Sequence, residues 1–219
     1  MSGPSEVRVW DPFVRIFHWS LIAGFAVAYI SEGRPLWLHS WAGYIVAALL
    51  VLRVIWGFFG PRYARFADFV YAPAAVMADL GDHLRGTAKR YLGHNPAGGA
   101  MIILLILSLA GTALTGMATL AQARNAGPLA PWLGHAAALS APLDGSGVSA
   151  APAATAEQTR KERRIRGPLK DVHEFLANLT LVLAGFHLAG VLFSSFAHRE
   201  NLVRAMITGR KRVETGAGD

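Results

Sequence analysis

Four histidines stand in otherwise apolar stretches: His18, His39, His173 and His187. The last two lie in "DVHEFLANLTLVLAGFHLAG", residues 171–190, which carries no charge from Phe175 to Ala189. Fourteen residues make nearly four helical turns, so both rings fall on one face, roughly 21 Å apart. Ionisable side chains inside such segments are costly and face a bundle interior or a functional pathway. Each ring can ligate one metal centre, and each centre then needs a second ligand from another helix. The chain has no cysteine, which excludes disulfides, iron–sulfur clusters, thiolate zinc sites and covalently attached haem. Zinc needs four ligands, or three and a water, and no third side chain is available at either level. No methionine sits at a matching depth for Met/His ligation. Paired imidazoles therefore suit a noncovalent b-type haem with both axial positions filled; the bland alternative is that each ring only hydrogen-bonds a neighbour.

The elements that must position these rings follow from composition. Of the 219 residues, 53% are hydrophobic and only 16% charged, against about 25% charged in soluble domains. A membrane helix needs about 20 mostly apolar residues. Four segments qualify, at approximately 14–30, 38–59, 98–120 and 172–196. No cleavable leader is evident in "MSGPSEVRVWDPFVRIFHW", so the first segment is expected to remain as a span. The expectation is an all-α membrane protein, a single domain over residues 1–219 built as a four-helix bundle around two b-type haems. No internal repeat or second domain is visible.

An even number of spans puts both termini on one side. Thirteen of the 21 Lys and Arg fall on that side, and six of the others cluster at the end of a long loop, which weighs little in topology. Multi-pass insertion in the bacterial inner membrane with cytoplasmic termini is expected. The net charge of +7 has this topological reading, and no nucleic-acid partner is inferred. His18 then lies near the inner start of the first span and His39 near the outer start of the second. His173 is near the outer face and His187 deeper. Depth pairs His39 with His173 and His18 with His187.

Small residues flank the ligands on their own faces: Gly43, Ala177, Ala184 and Gly190. They would make room for a porphyrin, although membrane helix packing also favours them. Arg53 follows His39 by fourteen residues and reaches the depth of the inner site. It would pair with haem propionates or else snorkel to headgroups. His94 and Asn95, in "YLGHNPAGG", mark a turn and helix start at the inner end of the third span. In "ADFVYAPAAVMADLGDHLRG", Val76, Leu80 and Leu84 recur with Asp79, Asp82 and Arg85 between them, the pattern of a short amphipathic helix at the membrane surface. His83, His135 and His198 are expected to be solvated. The loop at approximately 121–168 is rich in Ala, Pro, Gly and Ser, and is expected to be largely irregular and periplasmic. It ends in the basic run "RKERRIRGPLK".

Together, "VRVWDPFVRIFHW", "LHSWAGY", "RVIWGFFGPRYARFADFV", "YLGHNPAGGAMI" and "DVHEFLANLTLVLAGFH" resemble the bacterial cytochrome b561 family. That family includes the b-type cytochrome subunits of nickel–iron hydrogenases and, more distantly, of membrane formate dehydrogenase. The resemblance covers nearly all the chain except the third loop. It implies a four- or five-helix bundle with two b haems that moves electrons between a partner and the quinone pool. The family's ligands carry over onto His18, His39, His173 and His187, with the same pairing as the depth argument. An asparagine near the quinone in the formate dehydrogenase relative has its counterpart in Asn95. The implied partners are lipid, quinone and a periplasmic c-type cytochrome or a hydrogenase or dehydrogenase subunit. The Ala/Pro-rich loop departs from the compact family pattern and leaves the partner open. Protons for quinone chemistry would pass by His94, Asn95 and the inner basic loop. The basic run at residues 160–170 would steer an acidic partner, or attract a small anion such as superoxide to the outer haem. Readings of a different class are a haem-free metal or proton transporter and a structural anchor.

Overall fold

In a computed structural model, the described residues are 6–31, 34–134 and 167–212. Four long apolar helices dominate them: α1 (Pro12–Ser31), α2 (Leu36–Phe59), α4 (Pro96–Arg124) and, after a short α5 (Ala130–Leu133), α6 (Pro168–Ala197). At 20, 24, 29 and 30 residues, each is long enough to cross the hydrocarbon core of a bilayer. A shorter α3 (Pro73–Arg85) precedes α4, and α7 (Leu202–Thr208) follows α6.

Local chemistry sets the helix ends. Asp11 accepts a hydrogen bond from the Val14 N–H at 3.1 Å at the start of α1. The side chain of Asn95 accepts from the Gly98 N–H at 3.1 Å, and Pro96 follows at the first helical position. Gly86, at φ 71°, closes α3 in the left-handed conformation. The pair Gly60–Pro61 stops α2, because proline has no N–H to continue the ladder.

The long helices pair as α1 on α2 and α4 on α6, and the two pairs are joined along α2 and α4. Val46, Leu50 and Leu109 form the apolar core of that junction, with Leu21 and Phe25 packed against it. Between α4 and α6 the contact is polar. Ser108 Oγ and Thr180 Oγ1 lie 2.7 Å apart, and Thr180 also donates to the Leu176 carbonyl at 2.8 Å. Such back-bonded hydroxyls satisfy themselves where no water is present. Large apolar side chains cover the outside of the bundle, among them Ile16, Phe58, Leu107 and Phe186. That is the inversion expected when the solvent is lipid.

Two features go beyond the sequence expectation. Beside the all-helical bundle stands a short clasp: β1 (Glu6–Arg8) pairs antiparallel with β2 (Arg210–Arg212), with Val7 opposite Lys211. This clasp places residues 6–8 and 210–212 at the same end of the bundle, hereafter the terminal end. The segment expected to be irregular from residue 121 begins as helix, because α4 runs on to Arg124 and α5 follows. Asn125 takes a left-handed φ of 52° there and caps the longer helix. His135 and most of the basic run, residues 160–166, lie outside the described residues. Its last member, Lys170, pairs with Glu174 at 2.9 Å in the first turns of α6.

Two 3₁₀ turns, Arg62–Ala64 and Phe66–Asp68, fold back under the terminal end. Glycine permits that approach. A Cβ at Gly99 would overlap the Phe69 carbonyl, and one at Gly57 would overlap the Phe66 ring.

Candidate functional site

At the end away from the termini, His39 on α2 and His173 on α6 face one another across the bundle. Their ring centroids are 6.0 Å apart and their planes lie at 82°. Two imidazoles bound on opposite sides of one metal at ordinary bond lengths of ~2.1 Å have ring centres roughly 6 Å apart. Both rings are fixed through Nδ1. His39 Nδ1 donates to the Ala28 carbonyl at 2.8 Å, and His173 Nδ1 to the Thr112 carbonyl at 2.9 Å. That tautomer leaves each Nε2 with its lone pair for a metal. The Thr115 hydroxyl also approaches His173 Nδ1, at 3.4 Å. Gly116 faces the same ring, and a Cβ there would stand 2.9 Å from His173 Cε1. This glycine was missed in the sequence, where it is one of many small residues in a membrane helix. Gly43 and Gly190, singled out from their spacing, have open space where a side chain would project.

Toward the terminal end, His18 stands on α1 and His187 on α6. Five buried side-chain nitrogens among the described residues have no hydrogen-bond partner: Arg15 Nε, His18 Nδ1, Arg53 Nη1, Trp56 Nε1 and His94 Nδ1. All five come from the terminal ends of α1 and α2 or from the turn before α4. Buried polar groups are normally paired, so this collection marks a place built for a polar ligand. Arg53 is only 3% exposed and therefore does not snorkel. Its Nη2 donates to the Ala64 carbonyl at 3.1 Å, and its guanidinium lies over Phe66 and Phe69.

His94 is clamped between aromatic rings, 4.6 Å from Trp10 and 4.9 Å from Phe69 by centroids. Burial, reinforced by Arg53, Lys211 and His187, pushes its pKa down to about 3. The unfolded chain binds a proton here below about pH 6.5, and the folded chain does not until about pH 3. Stability conferred by neutral His94 is thus intact above pH 6.5 and declines on acidification, by ~1.4 kcal/mol per pH unit for one proton. The substitution His94→Phe is expected to flatten that acid limb in thermal melts of the detergent-solubilised protein.

Asn95 is already engaged. Its Nδ2 donates to Asp79 Oδ2 at 2.7 Å and makes a longer contact, 3.4 Å, to His83 Nε2. Asp79 also accepts from the Ala97 N–H at 3.1 Å and is 6% exposed. The expectation that His83 is merely solvated is corrected here. Its side chain is 15% exposed, and Nδ1 donates to the Asp79 carbonyl at 2.7 Å. In α3 the large apolar Met77, Leu80 and Leu84 are exposed, as is Arg85 at its end, and the polar Asp79 and His83 turn inward. His198 closes α6 rather than lying in a free tail. Beneath the termini, Lys211 is buried, its Nζ bonded to the Tyr91 carbonyl at 3.3 Å, and burial lowers its pKa. Arg90 ties the same region to Glu200. Among the described residues no cluster of three or more His, Asp or Glu side chains is placed to hold a bare metal ion.

The class so defined is a multi-pass membrane protein whose helices bring two histidines, His39 and His173, together. More particularly, the chain belongs to the prokaryotic cytochrome b561 family, whose model matches residues 9–209. Membership implies b-type haem binding and a role in electron transfer at the membrane. Neither among curated proteins nor among solved structures does any sequence match it significantly.

Proposed function

We propose that this chain is a dihaem cytochrome b carrying electrons across the bacterial inner membrane, between a periplasmic redox partner and quinone. The observation that carries the reading is the opposed pair His39 and His173, with both Nδ1 atoms tied down at a spacing suited to one metal between them. These residues would hold the outer haem, and His18 with His187 the inner one. Haem supplies one-electron chemistry and leaves proton handling to the surrounding protein.

The chain's own groups divide the remaining work. The carbonyls of Ala28 and Thr112 orient the outer ligands and raise their basicity as donors. Gly116 keeps the space beside His173 clear. Arg53 and His94 would stand beside the propionate side of the inner site, and Asn95 would order its floor through Asp79. The rise of α6 between His173 and His187 is about 21 Å. The excess of basic residues at the terminal end supports cytoplasmic termini. A periplasmic c-type cytochrome or a hydrogenase or dehydrogenase subunit would then meet the His39/His173 end.

The test is a visible spectrum of the purified protein, followed by mixing with a short-chain quinol. A six-coordinate b-type spectrum that is reduced by the quinol is the expected result. A colourless protein after expression with ample haem would overturn the proposal in favour of a haem-free carrier of metal ions or protons.

A further inference from the structure

Resting on the quinone-linked reading above, the unassigned pair Asp79 and His83 acquires a purpose. A quinone that takes two electrons must also take two protons. A histidine bound to iron cannot carry a proton on its ligating nitrogen, so the protons come from elsewhere. His94 is unsuited, because its ring is enclosed by Trp10 and Phe69 and stays neutral. Asn95 does not titrate, and its amide is already spoken for. Tyr91 holds its proton more tightly than usual, through burial and then the charge of Asp79.

His83 has the required geometry. Its ring lies 6.3 Å from that of Phe193 on α6, six residues beyond His187 and so roughly 9 Å along the helix. The Nδ1–H is fixed on the Asp79 carbonyl, which leaves Nε2 as the atom that gains and loses a proton. The Asp79 carboxylate is 3.6 Å from the ring. That carboxylate is held by Asn95 and the Ala97 N–H, so it stays in place as His83 changes charge. The groups shown against the ring are Asp79 on its own helix, Asn95 at the start of α4 and the uncharged Phe193 on α6; Asp82 and Arg85 are its neighbours in α3.

We propose that His83 passes protons between the terminal-side compartment and quinone bound against α3, α4 and α6, with Asp79 and Asn95 as its positioning residues. For each electron delivered from the outer partner through the haems, the His83 Nε2–H bond breaks and an O–H bond forms on the quinone. Water from the terminal side then returns a proton to Nε2. Two such cycles convert quinone, two electrons and two protons to quinol; in reverse, quinol oxidation releases both protons on that side.

The experiment uses the full-length, haem-loaded protein in liposomes and decylubiquinol as the probe. Haem reduction is followed by stopped flow across mildly acidic to mildly alkaline pH. The variant His83→Gln is expected to slow reduction by ~100-fold, the scale of general acid–base catalysis. Its near-neutral pH dependence should vanish, while haem content and reduction by dithionite stay unchanged. In His83→Ala, added imidazole should restore the rate. The variant Asp79→Asn, which removes the carboxylate beside the ring, should slow reduction with haem content unchanged, and it decides the matter if the His83 variants fail to fold. Unchanged rates and pH profiles, or a slow variant that imidazole does not rescue and whose profile is normal, would overturn the role of His83. A wild-type protein with intact haem that no quinol reduces would remove the quinone reading, and this inference with it.

Discussion

Replacing His173 with alanine is expected to halve the haem content of the purified protein, and His39→Ala is expected to do the same. The two rings approach from α2 and α6 at a spacing of 6.0 Å, and each is held by a carbonyl on a different helix. In the proposed centre a single truncation would remove one of the two bonds to the metal and leave the other ring held by its carbonyl. The double variant should therefore lose little more haem than either single one, the non-additivity of groups that act as a unit. The remaining centre, between His18 and His187, should keep its six-coordinate spectrum. A pyridine haemochrome assay gives the stoichiometry, and added imidazole should partly restore the lost centre in the single variants. Two haems persisting in the double variant would refute the pairing.

The second large effect concerns Arg53. In Arg53→Leu the inner centre is expected to become harder to reduce. Were a haem held there as proposed, a unit positive charge at a separation of ~10 Å and an effective dielectric constant of about 20 would favour an added electron by roughly 1.7 kcal/mol. Its loss should lower the one-electron potential by ~70 mV, with the outer potential nearly unmoved. Stability should fall as well, by about 1.5–3 kcal/mol, because the Ala64 carbonyl loses a charged donor and Phe66 and Phe69 lose the guanidinium packed on them. The variant Arg53→Lys keeps the charge and lacks the planar fork. It should hold most of the potential while showing the stability loss. Redox titration of the purified protein in detergent separates the two effects. Equal potentials in wild type and Arg53→Leu would place the arginine in a purely structural role.

The approach of His39 to His173 was legible because depth in a membrane is a coordinate that sequence position nearly determines. Once four spans are assigned, His39 and His173 must share a level. Arg53 was legible as a residue at the right depth, but its two readings separated only when the tucked-under turns at residues 62–68 covered it. The inward face of α3 was not legible. Val76, Leu80 and Leu84 mark an amphipathic helix, yet periodicity alone does not say which stripe faces lipid and which faces protein. The i, i+4 pair Asp79 and His83, close in sequence to Asn95, was the signal available. The clasp of β1 and β2 left even less trace, since three-residue strands carry no period and their partners lie some 200 residues apart.

The hydrogen bond from His39 to the Ala28 carbonyl has one further consequence. Ala28 belongs to α1, which supplies no ligand at that end of the bundle. The electronic character of the His39 donor is thus set partly by how α1 leans on α2. With a haem at His39 as proposed, any force that tilts α1, whether a docked protein or a thicker bilayer, would be translated into a change of driving force at that centre. Mechanical load and redox poise would then be, at this one carbonyl, the same variable.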